Sequence, residues 1–384
     1  MGSNSQKEMQ PVIGLDDGHD TNKVVFGWDD VAKTWRYGYY KSRAVEGLHQ
    51  VMSIGGPDSA GGAYETEGKR YTVAGSQSLL QTLDTRMTGY ALSDMNRALV
   101  AHSLAACGLG DTPIYLITGL PVDQYYKDGE ANLPLIRKKI ESLAKPVSRV
   151  GKGPALALIG GQSVVSEATA AFYDALIHHD GEYDADIEKL IERRPVAVMD
   201  FGGKTTDLVV IAENISQVYK KYSGTKDLGV LQLLDQVAEQ IKSEFGLNDN
   251  PPLPHVEEAC RTKKYELFGE YVDVSHIVVA ACEAYLEQAK NFFVSKLRDG
   301  SSVGAVIFVG GGTALIQSVL GDDAFASIYK GKRFIAKEPE YANARGMWKF
   351  GMYVLDPAER TIQVPAIAKG AQAKSARAST VEPV

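Results

Sequence analysis

Short apolar runs recur along the chain, and two of them carry the same construction about half a chain apart. Val12–Leu15 leads into Asp16-Asp17-Gly18-His19-Asp20-Thr21-Asn22-Lys23 and is followed by Val24-Val25-Phe26. Val196–Met199 leads into Asp200-Phe201-Gly202-Gly203-Lys204-Thr205-Thr206-Asp207 and is followed by Leu208-Val209-Val210-Ile211. An apolar run, an acidic glycine turn and a second apolar run predict a β-hairpin. Small residues at each tip let backbone N–H groups sit beside carboxylates. Such a pair suits a metal-bound polyphosphate held between two related halves.

The rest of the pattern alternates strands and helices. From Pro11 to about Ile117 strand-like runs dominate, including Trp35–Tyr40 and Arg70–Val73, with a Gly/Ser-rich loop at Ser53–Ala63. Asp94–Cys107 reads as a helix with Met95, Leu99, His102 and Ala106 on one stripe. Ile114–Ile117 is a buried-strand candidate. A second amphipathic helix places Leu133, Ile136, Ile140 and Leu143 at helical spacing, with Arg137-Lys138-Lys139 read as its solvated face. A strand at Ala155–Ile159 leads to a helix over Val165–Ile177, and the acidic stretch His179–Glu188 reads as a surface insert. Beyond the second hairpin come helices around Leu231–Phe245 and Ile277–Leu297, with a Pro251-Pro252 break between them. Strand Ala305–Val309 then runs into Gly310-Gly311-Gly312. The ends, 1–10 and 356–384, are polar or Ala/Lys/Ser-rich and are expected to be disordered.

Composition narrows the class. A chain of 384 residues exceeds one ordinary core and accommodates two α/β domains. A formal net charge of -7 gives no bulk attraction to nucleic acid. Cys107, Cys260 and Cys282 are far apart with no CxxC, which argues against a disulfide framework or structural zinc and fits a reducing cytoplasm. No stretch approaches a membrane span, so no membrane partner is expected.

The second hairpin holds the stronger chemical signal. Gly203-Lys204-Thr205 resembles the end of a P-loop, but that motif needs glycine where Val198 stands and a helix afterwards. The β-branched run after Asp207 predicts a hairpin instead. Its Gly202, Gly203 and Lys204 amides can approach phosphate oxygens, while Asp200 and Asp207 suit waters on Mg²⁺. In the first hairpin, Lys23 can reach back toward a β- or γ-phosphate and Asp16 or Asp17 can help hold the metal's water shell. His19 and Asp20 at the tip stay ambiguous on this reading, a histidine at a turn tip being more often solvated than a ligand or base. Gly310-Gly311-Gly312, after a strand and at a helix start, allows close approach of a ribose or α-phosphate.

These residues, in this order, resemble the two phosphate motifs and the adenosine motif of the actin, heat-shock chaperone and sugar kinase superfamily. Within it the chain looks most like the ParM/StbA actin-like ATPases of plasmid segregation. Asp16-Asp17-Gly18, Leu120-Pro121-Val122-Asp123-Gln124-Tyr125-Tyr126, Leu228–Val230 and Asn343–Met347 carry that likeness, which runs from about Val12 to Leu355. It implies an α/β, actin-like (ribonuclease H-like duplicated) fold: domain I at 11–165, joined by a C-terminal helix at 341–355, and domain II at 166–340.

The resemblance also implies roles. ATP or ADP with Mg²⁺ would lie in the cleft, bound by Asp17, Gly18, His19, Asp20 and Lys23 on one side. Gly202, Gly203, Lys204, Thr205, Gly229 and Gly310–Gly312 would bind from the other. Asp16, Asp200 and Asp207 would hold the metal's water shell. Glu167, in Glu167-Ala168-Thr169-Ala170-Ala171, resembles the residue that aims the lytic water, with Gln162 as the fallback. The family polymerises into filaments and reaches DNA only indirectly, through a ParR-like DNA-binding adaptor. Two other classes stand beside this one: a small-molecule kinase of the same fold and a chaperone-like ATPase. The short stretch after Leu355 argues against the latter. Gly14, His19-Asp20 and Lys204 depart from the family pattern.

Overall fold

The computed structural model describes residues 10–49, 62–75 and 82–357. The expectations for residues 1–9, for most of the Ser53–Ala63 loop and for 358–384 fall outside the described residues.

Both predicted hairpins form. Val12–Asp17 pairs antiparallel with Thr21–Asp29, Asp16 facing Lys23, and Val196–Phe201 pairs antiparallel with Thr206–Ile211, Asp200 facing Asp207. Each hairpin is the centre of a five-stranded sheet with the same layout. In the first sheet, Pro113–Leu120 lies parallel to Val12–Asp17, and Leu158–Ser166 lies parallel beyond it. The other edge, Thr34–Lys41, pairs antiparallel with Thr21–Asp29. In the second, Ala305–Val309 and Lys332–Ile335 occupy the parallel positions and Gly224–Lys226 the antiparallel edge. The repeated construction seen in the sequence is thus a repeat of whole sheets. Their central strands are buried on both faces, which is why they read as continuous apolar runs.

Helix Glu167–Leu176 lies between the sheets. Its Ala168, Ala171, Phe172 and Leu176 pack with Val196, Val198, Val209 and Ile211 of the second sheet, while Ala170 packs with Val12 and Val165 of the first and with Met347 of the C-terminal helix. Helix Ala342–Lys349 crosses it closely enough that a Cβ at Gly346 would lie 1.7 Å from the Ala170 carbonyl oxygen. Gly14 has the same cause: a Cβ there would lie 2.2 Å from the Ala344 carbonyl oxygen, so this departure from the family pattern lets the C-terminal helix rest on the strand. An ion cluster fixes the crossing. Arg345 and Lys349 both donate to the buried Asp174 carboxylate, at 2.8 and 2.7 Å.

Several local expectations change. The strand expected to end at Ile159 is Leu158–Ser166, so Val165 belongs to it and the helix begins only at Glu167. β-branched Val164 and Val165, paired with Thr118 and Gly119, favour the extended form. The acidic stretch is not wholly a surface insert: it runs into helix Ala185–Ile191, whose Ile187 and Ile191 are buried. Ala106 is exposed although it shares a helix stripe with the buried Met95 and Leu99, and Leu133 is exposed too. Lys139, read as solvated, is 1% exposed. After Pro251-Pro252 the chain forms helix Leu253–Thr262 and hairpin Lys264–Asp273, neither of which was expected. Among the described residues no helix is long and apolar enough to cross a membrane.

Candidate functional site: a cleft between two acidic turns

The tips of the two central hairpins both line one cavity of about 530 Å³. Asp16, Asp17, Gly18, His19, Asp20 and Lys23 line it from the first sheet, and Asp200, Gly202, Gly203, Lys204, Thr205 and Asp207 from the second. Glu167, Gly310 and Gly311 complete that set. Three of the residues named from sequence are elsewhere. Gly229 backs the second turn: a Cβ there would lie 2.2 Å from the Gly203 carbonyl oxygen, and the next two amides, Val230 and Leu231, donate to the Gly202 and Gly203 carbonyls. Gly312 packs against Phe201, and Gln162 donates to the Ile140 carbonyl outside the cavity.

The first turn is braced from several sides. Lys23 pairs with Asp16 at 3.1 Å, and although burial works against the ammonium, Asp16 keeps its pKa above the ordinary lysine value. Asp17 accepts from Lys139 at 2.8 Å and from Asn96 at 3.1 Å. His19 is not a solvated tip: its Nδ1 is 2.7 Å from the Thr85 carbonyl oxygen and its ring lies against Tyr90. Burial lowers its pKa, so the imidazole stays neutral near pH 7. Asp20 accepts from Thr21 at 2.6 Å and pairs with Lys41 at 2.9 Å.

In the second turn the Gly202 amide closes the hairpin by donating to the Thr205 carbonyl, so it is not available to a phosphate as expected. The Gly203 and Lys204 amides donate to no described residue. Lys204 reaches across the cleft and donates to the Arg86 carbonyl at 2.8 Å, which gives this departure from the family pattern a part in joining the two sides. Arg86 in turn pairs with Asp235, and Glu257 pairs with Lys41 at 2.7 Å and Arg43 at 2.8 Å.

The floor of the cleft is rich in carboxylates. Asp200 accepts from Asn343 Nδ2 at 2.7 Å through one oxygen, while its Oδ1 is buried without a partner among the described residues. Burial lifts this carboxyl to about 6, the Asn343 hydrogen bond opposing and the Asp16 charge adding. Asp207 rises to about 7, again through burial and against its bond from Thr225. Its oxygens accept from the Val122 amide, Thr205 and Thr225, so it serves first to hold the hairpin against the segment after Leu120. Glu167, at the N-terminus of its helix, has a pKa well above the usual carboxylate range. Burial dominates, with Asp16 and Asp207 adding and Lys139 opposing.

Among the described residues lining the cavity, the acids Asp16, Asp17, Asp20, Glu167, Asp200, Asp207, Glu257, Glu258 and Glu340 outnumber the cations Lys23, Lys41, Lys139, Lys204 and Arg261. That surplus of negative charge, with a buried acceptor left unpaired, fits a cation. Among the described residues no three His, Cys, Asp or Glu side chains are grouped to hold a metal directly. Such a lining suits an ion that keeps most of its own water rather than one held directly by side chains.

Lys139 and Asn343 were not assigned roles from sequence. For Lys139 the signal was present: three residues after Ile136 and four before Leu143, it lies on the buried stripe of its helix, as i, i+3 and i+7 spacing indicates. Asn343 comes to Asp200 through 143 residues of intervening chain, which no local pattern encodes.

The comparisons with known proteins agree with this architecture. The family model "Plasmid segregation protein ParM, N-terminal" matches residues 15–177, and the model for the C-terminal part of the archaeal MreB-like actin homologue matches residues 198–322. ParM in a 15-stranded filament from Clostridium botulinum is 18% identical, with a TM-score of 0.68 over 89% of this chain and 98% of that one. A non-polymerisable quadruple mutant of pCBH ParM is 17% identical, with a TM-score of 0.69 at the same coverage. The archaeal actin homologue Ta0583, solved in complex with ADP, is 20% identical, with a TM-score of 0.66 over 91% of this chain and 99% of that one. No curated protein matches the sequence. The fold is actin-like, as the motif order implied.

Proposed function

We infer that this chain, a ParM-like protein of the actin superfamily, binds and hydrolyses Mg-ATP in the cleft and uses that cycle to control assembly into filaments. The observation that carries this reading is the convergence of two duplicated acidic turns and Glu167 on one cavity. The Gly203 and Lys204 amides, with Lys23, supply donors for phosphate oxygens, and the helix that starts at Gly311 turns its N-terminus to the same space. Bound Mg²⁺ would neutralise developing phosphate charge. Asp16 and Asp200 orient its water, and Glu167 orients the attacking water. A raised pKa for Glu167 does not conflict with this role, since water positioning works through orientation more than basicity.

A phosphate group gripped by both turns would bridge the two sheets, and its loss would release one side. That is the physical basis for linking the nucleotide state to assembly. Filament formation is supported by the ParM filament among the similar structures, and a ParR-like adaptor carrying the DNA is the partner the family resemblance implies. The small-molecule kinase alternative requires an acceptor substrate in the same cleft.

Phosphate release and light scattering, measured together on full-length protein with ATP and Mg²⁺, test the proposal. Wild type should hydrolyse ATP and scatter above a threshold protein concentration. Glu167→Ala should bind nucleotide normally yet lose most turnover. A monomer that releases ADP only when a sugar or acid is added would refute the filament reading.

A further inference from the structure

Helix Leu133–Leu143 carries three consecutive cations, and the third turns inward. Lys139 Nζ lies 2.8 Å from Asp17 Oδ1 and also donates to the Gly119 carbonyl. Its two acceptors sit on neighbouring parallel strands, Val12–Asp17 and Pro113–Leu120. Burying an ammonium costs several kcal/mol unless its hydrogen bonds are well satisfied. Neutralising Asp17 would account for the first bond alone; the second goes to the residue beneath Glu167.

The contact between Gly119 and Glu167 is close. A Cβ at Gly119 would lie 2.4 Å from Glu167 Cγ and 3.1 Å from its Oε1, with Met347 Cε at 2.5 Å on the other side. No described residue makes a hydrogen bond with the Glu167 carboxyl, so packing on Gly119 is what places it, while Asp16, Asp207 and Asp200 disfavour its ionised form and Lys139 favours it. Of those four groups Lys139 alone is attractive to a carboxylate.

We propose that Lys139 and Gly119 form the seat of Glu167, so that Lys139 is a positioning residue for hydrolysis acting through the Gly119 peptide. This rests on the Mg-ATP hydrolysis proposed above. Because Lys139 is held by Asp17 as well, the same ammonium ties the first phosphate turn to the residue that aims the water.

The test uses full-length wild type, Lys139→Met, Gly119→Ala, Glu167→Gln and the two double variants with Glu167→Gln. The readouts are kcat from phosphate release, the Kd of a fluorescent ADP analogue and the thermal midpoint. Lys139→Met and Gly119→Ala should each lower kcat about 10- to 100-fold, the scale of a misplaced reacting group, with ADP affinity changed less than about threefold. Neither should slow Glu167→Gln further, because groups acting through one another are not additive. Unchanged kcat in Lys139→Met, an additive loss, or a loss confined to ADP affinity would overturn the proposal. If Lys139→Met does not fold, the Gly119→Ala cycle decides by the same criteria. Wild type without ATP turnover sinks the parent reading and this one together, whereas active wild type with unaffected variants sinks this one alone.

Discussion

Gly203 of the second turn rests directly on Asp20 of the first: a Cβ built on Gly203 would lie 2.9 Å from the Asp20 Cβ and 3.0 Å from its amide nitrogen. The two phosphate-type turns therefore meet tip to tip, and the second approaches with backbone because a side chain there has no room. Gly203→Ala should force them apart. Overpacking typically costs about 1 to 3 kcal/mol, so the thermal midpoint of the nucleotide-free protein should fall and ATP affinity should drop about tenfold or more. Calorimetric titration with a non-hydrolysed ATP analogue reads the second quantity, and unchanged affinity would mean the turns do not close on a ligand together.

A second tie across the cleft is ionic. Glu257, on helix Leu253–Thr262, accepts from Lys41 at 2.7 Å and from Arg43 at 2.8 Å, both from the first-sheet side. Glu257→Gln removes the charge that holds these two cations together. Hydrogen bonds to charged groups contribute about 1.5 to 3 kcal/mol, so nucleotide should dissociate roughly tenfold faster and the nucleotide-free protein should show a larger radius of gyration by small-angle scattering. Because the cluster is partly exposed, raising salt should reproduce part of the effect in wild type and little of it in the variant.

The crossing of helices Glu167–Leu176 and Ala342–Lys349 depends on Asp174. Its carboxylate receives Arg345 and Lys349, all three side chains being about 5% exposed. Removing one member of a buried ion cluster strands the others and costs about 3 to 5 kcal/mol. Asp174→Ala should lower stability by that amount in urea denaturation; a loss below about 1 kcal/mol would show that the cluster is not needed to hold the crossing.

A pH effect is expected far from the cleft. His102 Nδ1 is 2.9 Å from the Tyr64 hydroxyl, which also accepts from Arg149 at 2.9 Å, so the hydroxyl donates to a neutral imidazole. Burial lowers the His102 pKa from 6.5 to about 4, and the Arg149 charge adds to the effect. Between those values the unfolded chain takes up a proton that the fold refuses. The contribution of this group is therefore complete above pH 6.5 and is lost as pH falls toward 4, by at most about 3 kcal/mol. Comparing thermal midpoints from pH 7.5 to 5 should show a shallower acid decline in His102→Gln than in wild type; parallel curves would exclude His102 as the source.

Local patterning was enough to find both hairpins, their acidic tips and the glycine run after Ala305–Val309, while it set the helix that begins at Glu167 two residues early. Each of these depends on neighbours within a few residues: alternation, β-branching, a turn glycine, an apolar stripe. The same locality explains the errors. Arg137-Lys138-Lys139 looks like a solvated run until the third lysine is set on the helix stripe with Ile136 and Leu143. His19 looks like an exposed tip because Thr85 and Tyr90, which enclose it, are distant in sequence.

The sequence by itself determined the two acidic turns, the glycine run and their order, because strand periods and glycine turns are short-range properties of the chain. Only the tertiary structure decided how the pieces work on one another. Asn343 reaches Asp200, Lys139 reaches Asp17 and Gly119, and Gly203 reaches Asp20 across separations no local pattern encodes. Burial then alters the chemistry of what it encloses, lifting Asp200 and Asp207 toward neutral pH and leaving one Asp200 oxygen unpaired. The two acidic turns were legible as a pair; that they touch, and that a buried lysine and a glycine place the residue between them, follows from the packing of two duplicated sheets around one helix.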